Sequence, residues 1–167
     1  MNPQCNCETP AWRERFESLL PLYGHRNWIV VADSAYPAQS NPCIETIATG
    51  MDQIEVLSEV LSAIESNRHI RARILVDEEL DLVAEQYAPG VNQYRQELTR
   101  LAGNRTFERL PHEQIISKLD ESAKLFRILI LKSKLAIPYT SVFFELDCGY
   151  WTPEAEKALR ASFQKTQ

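Results

Sequence analysis

The sequence predicts an α/β fold, a mostly parallel central sheet flanked by helices, and three observations predict it. Short continuous apolar runs rich in β-branched residues, such as Trp28-Ile29-Val30-Val31-Ala32, read as buried strands. Between them lie segments whose apolar residues recur at helical spacing. Prolines, glycines and small polar residues punctuate the joins, and strand alternating with helix is the pattern of helices packed on a sheet. The 167 residues, 44% hydrophobic and 25% charged, suit a single domain. At this size a compact chain buries roughly 70% of its extended surface.

Each element has its own warrant. Thr9-Pro10 starts a first helix, whose stripe is Trp12, Phe16, Leu19, Leu20 and Tyr23 and whose stop is Gly24. The strand at 28–32 ends at Asp33-Ser34, and the run from Tyr36 to Pro42, with two prolines, forms a loop. Cys43 to Ala48 is a second strand. Asp52 and Glu55 form a capping box for a helix with Ile54, Leu57, Val60, Leu61 and Ile64 buried. Ile70 to Val76 is a strand, followed by an acidic-topped helix from about Glu78 that Pro89-Gly90 breaks. A second amphipathic helix carries Tyr94, Leu98 and Leu101, and a weak strand spans Thr106 to Leu110. Pro111-His112-Glu113 opens a helix through Leu119. Strands at Lys124 to Leu131 and Ser141 to Leu146 complete the sheet, and Thr152-Pro153 starts a terminal helix. The expected organisation is a mobile tail at 1–8, one domain at 9–147, and a helical extension at 148–167 packed on that domain.

Composition narrows the function. No apolar run approaches the roughly 18 residues of a membrane span. Eighteen basic against 23 acidic residues give a net charge of −5, and no segment has the basic patch of a nucleic-acid binder. The first ten residues lack a basic stretch and an apolar core, so a cytoplasmic location is expected. Cys5, Cys7, Cys43 and Cys148 lack paired zinc-site spacing and read as reduced thiols.

Polar chemistry has few carriers. The histidines are His25, His69 and His112. His25 precedes the first strand and Asp33 follows it. Five residues at about 3.3 Å each separate them by roughly 17 Å, so they form no obvious dyad. Asp33 lies outside the C-terminal end of a strand, where α/β sheets collect ligands. His112 sits in the first turn of a helix, whose dipole favours a neutral imidazole. His69, beside Arg68, reads as a surface residue. Tyr139 follows Pro138 on a loop, as a ligand lid or a packing residue. Asp77-Glu78-Glu79 suits either a helix start or a cation.

Gly24-His25, the step of eight to Asp33, and Tyr36-Pro37-Ala38-Gln39-Ser40 resemble the opening signature of the ribose pyranase/fucose mutarotase (RbsD/FucU) family. Pro111-His112-Glu113 and the Pro138-Tyr139 loop extend the resemblance over roughly Trp12 to Leu146. It implies an RbsD-like three-layer fold and a cofactor-free, metal-free isomerase that interconverts cyclic forms of a fucose-like or ribose-like sugar. It also implies a homo-oligomer with sites at subunit interfaces. His25, Asp33 and Tyr139 would be catalytic, with Tyr139 coming from a neighbouring subunit and a loop fold-back bringing His25 to the pocket. Tyr36, His112 and Ser141 would bind substrate.

Ring opening needs one proton removed from the anomeric hydroxyl and one delivered to the ring oxygen, which suits these side chains. The tyrosine rings suit a sugar's apolar face. Some positions depart from the family. Ser141 stands where an Asn is usual, Leu131-Lys132-Ser133 replaces Thr-Gly-Glu, and Ile116 replaces a lysine of the ribose branch. The loop after Asp33 is closer to the fucose branch. The altered sugar-binding set keeps open a non-catalytic sugar-binding or sensing protein. Two further readings are an enzyme of another class, with a metal at Asp77 and Glu78, and a partner-docking protein using Tyr150-Trp151.

Overall fold

A computed structural model describes residues 11–164. The expected Thr9-Pro10 start, the tail at 1–8 and the Cys5/Cys7 pair lie outside the described residues. Among the described residues six strands form one sheet in the order β2-β5-β1-β6-β3-β4. They are β1 (Trp28–Ala32), β2 (Ile44–Ala48), β3 (Ile70–Asp77), β4 (Phe107–Leu110), β5 (Ile128–Lys132) and β6 (Val142–Cys148). β2, β5 and β1 are mutually parallel, as are β3 and β4. β6 alone runs against its neighbours, pairing Val142 with both Val31 and Val76. The mostly parallel α/β expectation holds.

The pleat divides each strand between two cores. On one face Ile29, Val31, Val76, Leu129 and Phe144 meet α1 (Ala11–Leu19), α2 (Gln53–Ser66) and α3 (Val91–Ala102). On the other, Trp28, Val30, Leu75, Ile130 and Phe143 meet α4 (His112–Ala123) through Ile115 and Leu119. β1 is buried at all five positions, which is why it reads as an unbroken apolar run. The Asp52/Glu55 capping box forms as expected, and Val56, Leu57, Val60, Leu61 and Ile64 are buried along α2.

Three expectations need correction. The helix from Glu78 is only a five-residue 3-10 turn, Glu78–Leu82. Arg95 donates from α3 to the carbonyl of Leu80, at 2.9 and 2.6 Å, and to that of Val83. The Glu85 carboxylate meanwhile takes the N–H groups of Gly90 and Asn92. Tertiary partners thus satisfy groups that a helix would have paired internally. The strand expected from Lys124 starts at Ile128, because α4 continues to Ala123 and the Phe126 N–H turns back to Ser122 O at 2.8 Å. His69 is not fully exposed: its Nε2 lies 3.0 Å from Tyr23 O.

α5 (Pro153–Gln164) begins where Thr152-Pro153 predicts, with Thr152 Oγ1 accepting from Ala155 N at 3.1 Å. It has no fully buried side chain among its described positions, and its start borders a hollow shared with His25 and Arg71.

Candidate functional site

The parallel strands β1, β3 and β4 end on one edge of the sheet, and the antiparallel β6 begins there. Four chain segments therefore converge: Asp33 after β1, Asp77 closing β3, His112 after β4, and the loop from Pro138 to Ser141 entering β6. Together with Tyr36 and Gln39 they line a cavity of about 400 Å³. That volume is within the usual range for small-molecule sites. Five of the six residues singled out in the sequence meet here: Asp33, Tyr36, His112, Tyr139 and Ser141.

His25 does not join them. It lies at the opposite end of β1, where its Nδ1 is 2.8 Å from Asp147 Oδ1 at the end of β6. Arg71 binds the other oxygen of that carboxylate. The expected fold-back of the His25 loop does not occur within the chain, because the Arg26 N–H is tied to Leu146 O on the same far edge. Tyr139, by contrast, is near Asp33 within one chain. It stands in the pocket of its own chain, its ring edge-on to His112 at 5.6 Å between centroids.

Asp33 is oriented by its own surroundings. Its Oδ1 accepts the Ala35 N–H at 2.9 Å and its Oδ2 the Ser141 hydroxyl at 3.2 Å. Tyr36 is buried, and its hydroxyl has no hydrogen-bond partner of normal geometry among the described residues. Burial pushes that phenol up to about 12, with the charges of Asp120, Asp77 and Asp33 adding in the same direction.

Asp77 was legible only as a cap or a cation ligand. It is 1% exposed, its Oδ1 lies 3.0 Å from His112 Nδ1, and its Oδ2 has no partner among the described residues. Burial pushes its carboxyl up to about 6, with Glu79 and Asp33 also raising it against the opposing pull of His112. Glu79 contributes separately by accepting the His112 main-chain N–H with both oxygens, at 3.0 and 3.1 Å. No group of three or more His, Cys, Asp or Glu residues is arranged to hold a metal ion among the described residues.

A buried network sets the position of the Tyr139 loop. Gln53, on the buried face of α2, donates from Nε2 to Thr140 O at 2.8 Å and to Val31 O at 3.1 Å. Its Oε1 accepts the Ser133 hydroxyl at 2.6 Å, and the Tyr94 hydroxyl donates to the same Thr140 carbonyl at 2.7 Å. Tyr139 itself adopts a left-handed backbone, φ 59°, a conformation that non-glycine residues keep only where the surroundings impose it. Ser133, a departure from the family pattern, is thus a buried partner of Gln53.

A larger hollow of about 620 Å³ lies elsewhere, between α2, β3 and β4. Its Arg73 and Arg105 are already paired with Glu108 and Glu65, and it gathers none of the site residues above. No helix among the described residues is long and apolar enough to cross a membrane.

A model of the RbsD / FucU transport protein family matches residues 10–129. RbsD from Bacillus subtilis, solved in complex with D-ribose, shares the fold at a TM-score of 0.52 and 16% identity, over 80% of this chain and 91% of that one. FucU from Bifidobacterium longum gives 0.52 and 16%, over 80% and 94%. The fucose mutarotase of Streptococcus pneumoniae, solved with L-fucose, gives 0.52 and 19%, over 84% and 97%. No curated protein matches the sequence.

Proposed function

This chain belongs to the RbsD / FucU transport protein family, and on that premise we propose that it interconverts cyclic forms of a monosaccharide by cofactor-free acid–base ring opening. The observation that carries the reading is the convergence of Asp33, Asp77, His112, Tyr139 and Ser141 on one cavity at the carboxyl ends of the parallel strands. Ring opening asks for two groups that exchange protons, and each well-placed one contributes roughly 10²–10⁴-fold. Asp33, oriented by Ser141 and Ala35, supplies the first. Tyr36 and Tyr139 offer ring faces to the sugar, and His112 and Ser141 offer polar atoms to its hydroxyls.

The family resemblance gives the second proton-exchanging role to His25, which a single chain holds at the far edge of the sheet. In our reading His25 reaches the pocket of a second copy, so the working unit is a homo-oligomer with sites between subunits. A fucose-like substrate is favoured by Tyr36-Pro37-Ala38-Gln39-Ser40, and relatives solved with L-fucose and D-ribose support the sugar class. The test is NMR exchange spectroscopy on the anomeric protons of fucose, ribose, galactose and rhamnose with catalytic amounts of protein. Faster exchange for one of them is the expected result. Binding without acceleration would instead select a non-catalytic sugar sensor.

A further inference from the structure

A carboxylate buried as deeply as Asp77 is costly unless each oxygen is satisfied, and an unpaired buried acceptor costs more still when it is charged. Among the described residues only Oδ1 has a partner, and that partner is the ring of His112. Three features hold the pair in one geometry. Asp77 is the last residue of β3, paired in register with Leu110 of β4. His112 follows two residues later, its main-chain N–H clamped by Glu79. The imidazole also meets the ring of Tyr139, nearly perpendicular to it, on the loop that Gln53 anchors. Each element approaching the imidazole is fixed independently of it.

The chemistry of the contact then assigns the hydrogen. With its carboxyl pushed up to about 6, Asp77 is predominantly ionised at neutral pH. An ionised carboxylate only accepts, so the hydrogen between Oδ1 and Nδ1 belongs to the imidazole. A neutral ring with its hydrogen on Nδ1 has an unprotonated Nε2. We propose that Asp77 is the positioning residue of this site, holding His112 in the Nδ1–H tautomer so that Nε2 is the atom that takes up and returns a proton in the pocket. The inference rests on the proposed ring-opening reaction for the use of that proton, but the tautomer itself is a property of the ligand-free chain.

This makes His112 more than a lining residue: Asp33 and His25 keep the two ends of the ring-opening step, and His112 Nε2 carries the proton between them within the cavity that Asp33 and His112 share. Asp33 and His112 become a carboxylate and an imidazole facing one cavity, each oriented by a different partner, Ser141 and Asp77. Replacing Asp77 by Asn preserves size and keeps an acceptor, but adds an amide donor that can hold Nδ1 unprotonated and move the ring hydrogen to Nε2.

The experiment is long-range ¹H–¹⁵N correlation of the imidazole nitrogens in the full-length, ligand-free protein in mildly alkaline buffer, with His112→Gln to assign the signals. The expected wild-type pattern is a protonated Nδ1 and an unprotonated Nε2, with Asp77→Asn showing a mixed or inverted pattern. In the exchange assay that variant is expected to lose about 10²–10⁴-fold in kcat with KM changed less than about threefold. A wild-type ring protonated on Nε2 overturns the proposal even if Asp77→Asn fails to fold. An unchanged pattern in a folded Asp77→Asn also overturns it. A wild-type chain with the expected tautomer that accelerates no sugar's exchange refutes the ring-opening reading and leaves the tautomer assignment standing.

Discussion

Ser141 and Asp33 hold one another reciprocally: the Ser141 hydroxyl donates to Asp33 Oδ2 at 3.2 Å, and its oxygen lies 3.4 Å from the Asp33 main-chain N–H. The contact joins the end of β1 to the start of β6 and fixes which way the carboxylate faces. Asp33→Asn keeps the side-chain volume and removes the base. It should lower catalysed anomer exchange by about 10²–10⁴-fold with an unchanged far-UV spectrum. Ser141→Ala removes only the orienting hydroxyl and should cost about tenfold or less. Equal exchange rates in wild type and Asp33→Asn would remove Asp33 from the mechanism.

The Gln53 amide bridges Val31, Ser133 and Thr140 inside the first core. Gln53→Leu should destabilise the fold by about 1–3 kcal/mol, because it leaves the buried Ser133 hydroxyl without its acceptor. The loop carrying Tyr139 loses its anchor at the same time, so sugar affinity should fall along with the urea midpoint. A loss of stability with unchanged affinity would show that Tyr94 alone suffices to hold that loop.

Asp77 makes stability depend on pH in a direction opposite to that of most carboxylates. Its folded value, about 6, lies above the ordinary 3.8, so between those values the folded chain binds more protons than the unfolded one. Stability from this residue is therefore greatest below about pH 4 and declines as pH rises to about 6. The change is on the order of 3 kcal/mol. Asp77→Asn cannot titrate, and the difference in unfolding free energy between the two proteins should shift by that amount across the window. Parallel pH profiles would show that Asp77 titrates normally.

If His25 acts in the pocket of a neighbouring copy, two dead variants should complement. His25→Ala and Asp33→Asn, refolded together, should regain activity at about a quarter of the sites, since random pairing leaves that fraction with both residues intact. Either variant refolded alone should remain inactive. Absence of recovery in a mixed oligomer would place His25 outside the reaction.

Gly149, just past β6, is held against the start of β3. A β-carbon there would lie 2.5 Å from Arg68 O and 2.6 Å from Ile70 O, both backbone atoms that cannot turn aside. Gly149→Ala should lower stability by about 1–3 kcal/mol through displacement of this strand end. Thermal denaturation measures it, and an unchanged midpoint would mean that the chain end shifts freely.

The strands were legible because burial on both faces leaves an uninterrupted apolar run, as at 28–32, and the α2 start because its capping box is a local contact. The turn at Glu78–Leu82 was not, since Arg95 reaches it from α3, well beyond any local window. Within the site, Asp33 was readable from its place after a strand. Asp77 was readable only as an acid at a helix start or as a cation ligand, because its partner His112 lies 35 residues away and meets it only once β3 and β4 pair. Gln53 gave no signal: a polar residue at the head of an apolar stripe looks solvent-facing until the loop above it is known.

The antiparallel strand also governs the order in which the molecule can be completed. β6 is the last of the described strands, yet it fills the gap between β1 and β3. During synthesis β2, β5 and β1 can form one partial sheet and β3 with β4 another, each with an unpaired inner edge. Only when residues 142–148 leave the ribosome can the two halves fuse. Pairings that span so much sequence form slowly, and exposed edges aggregate while they wait. The nascent chain is thus most dependent on chaperone protection in the interval just before its last strand arrives.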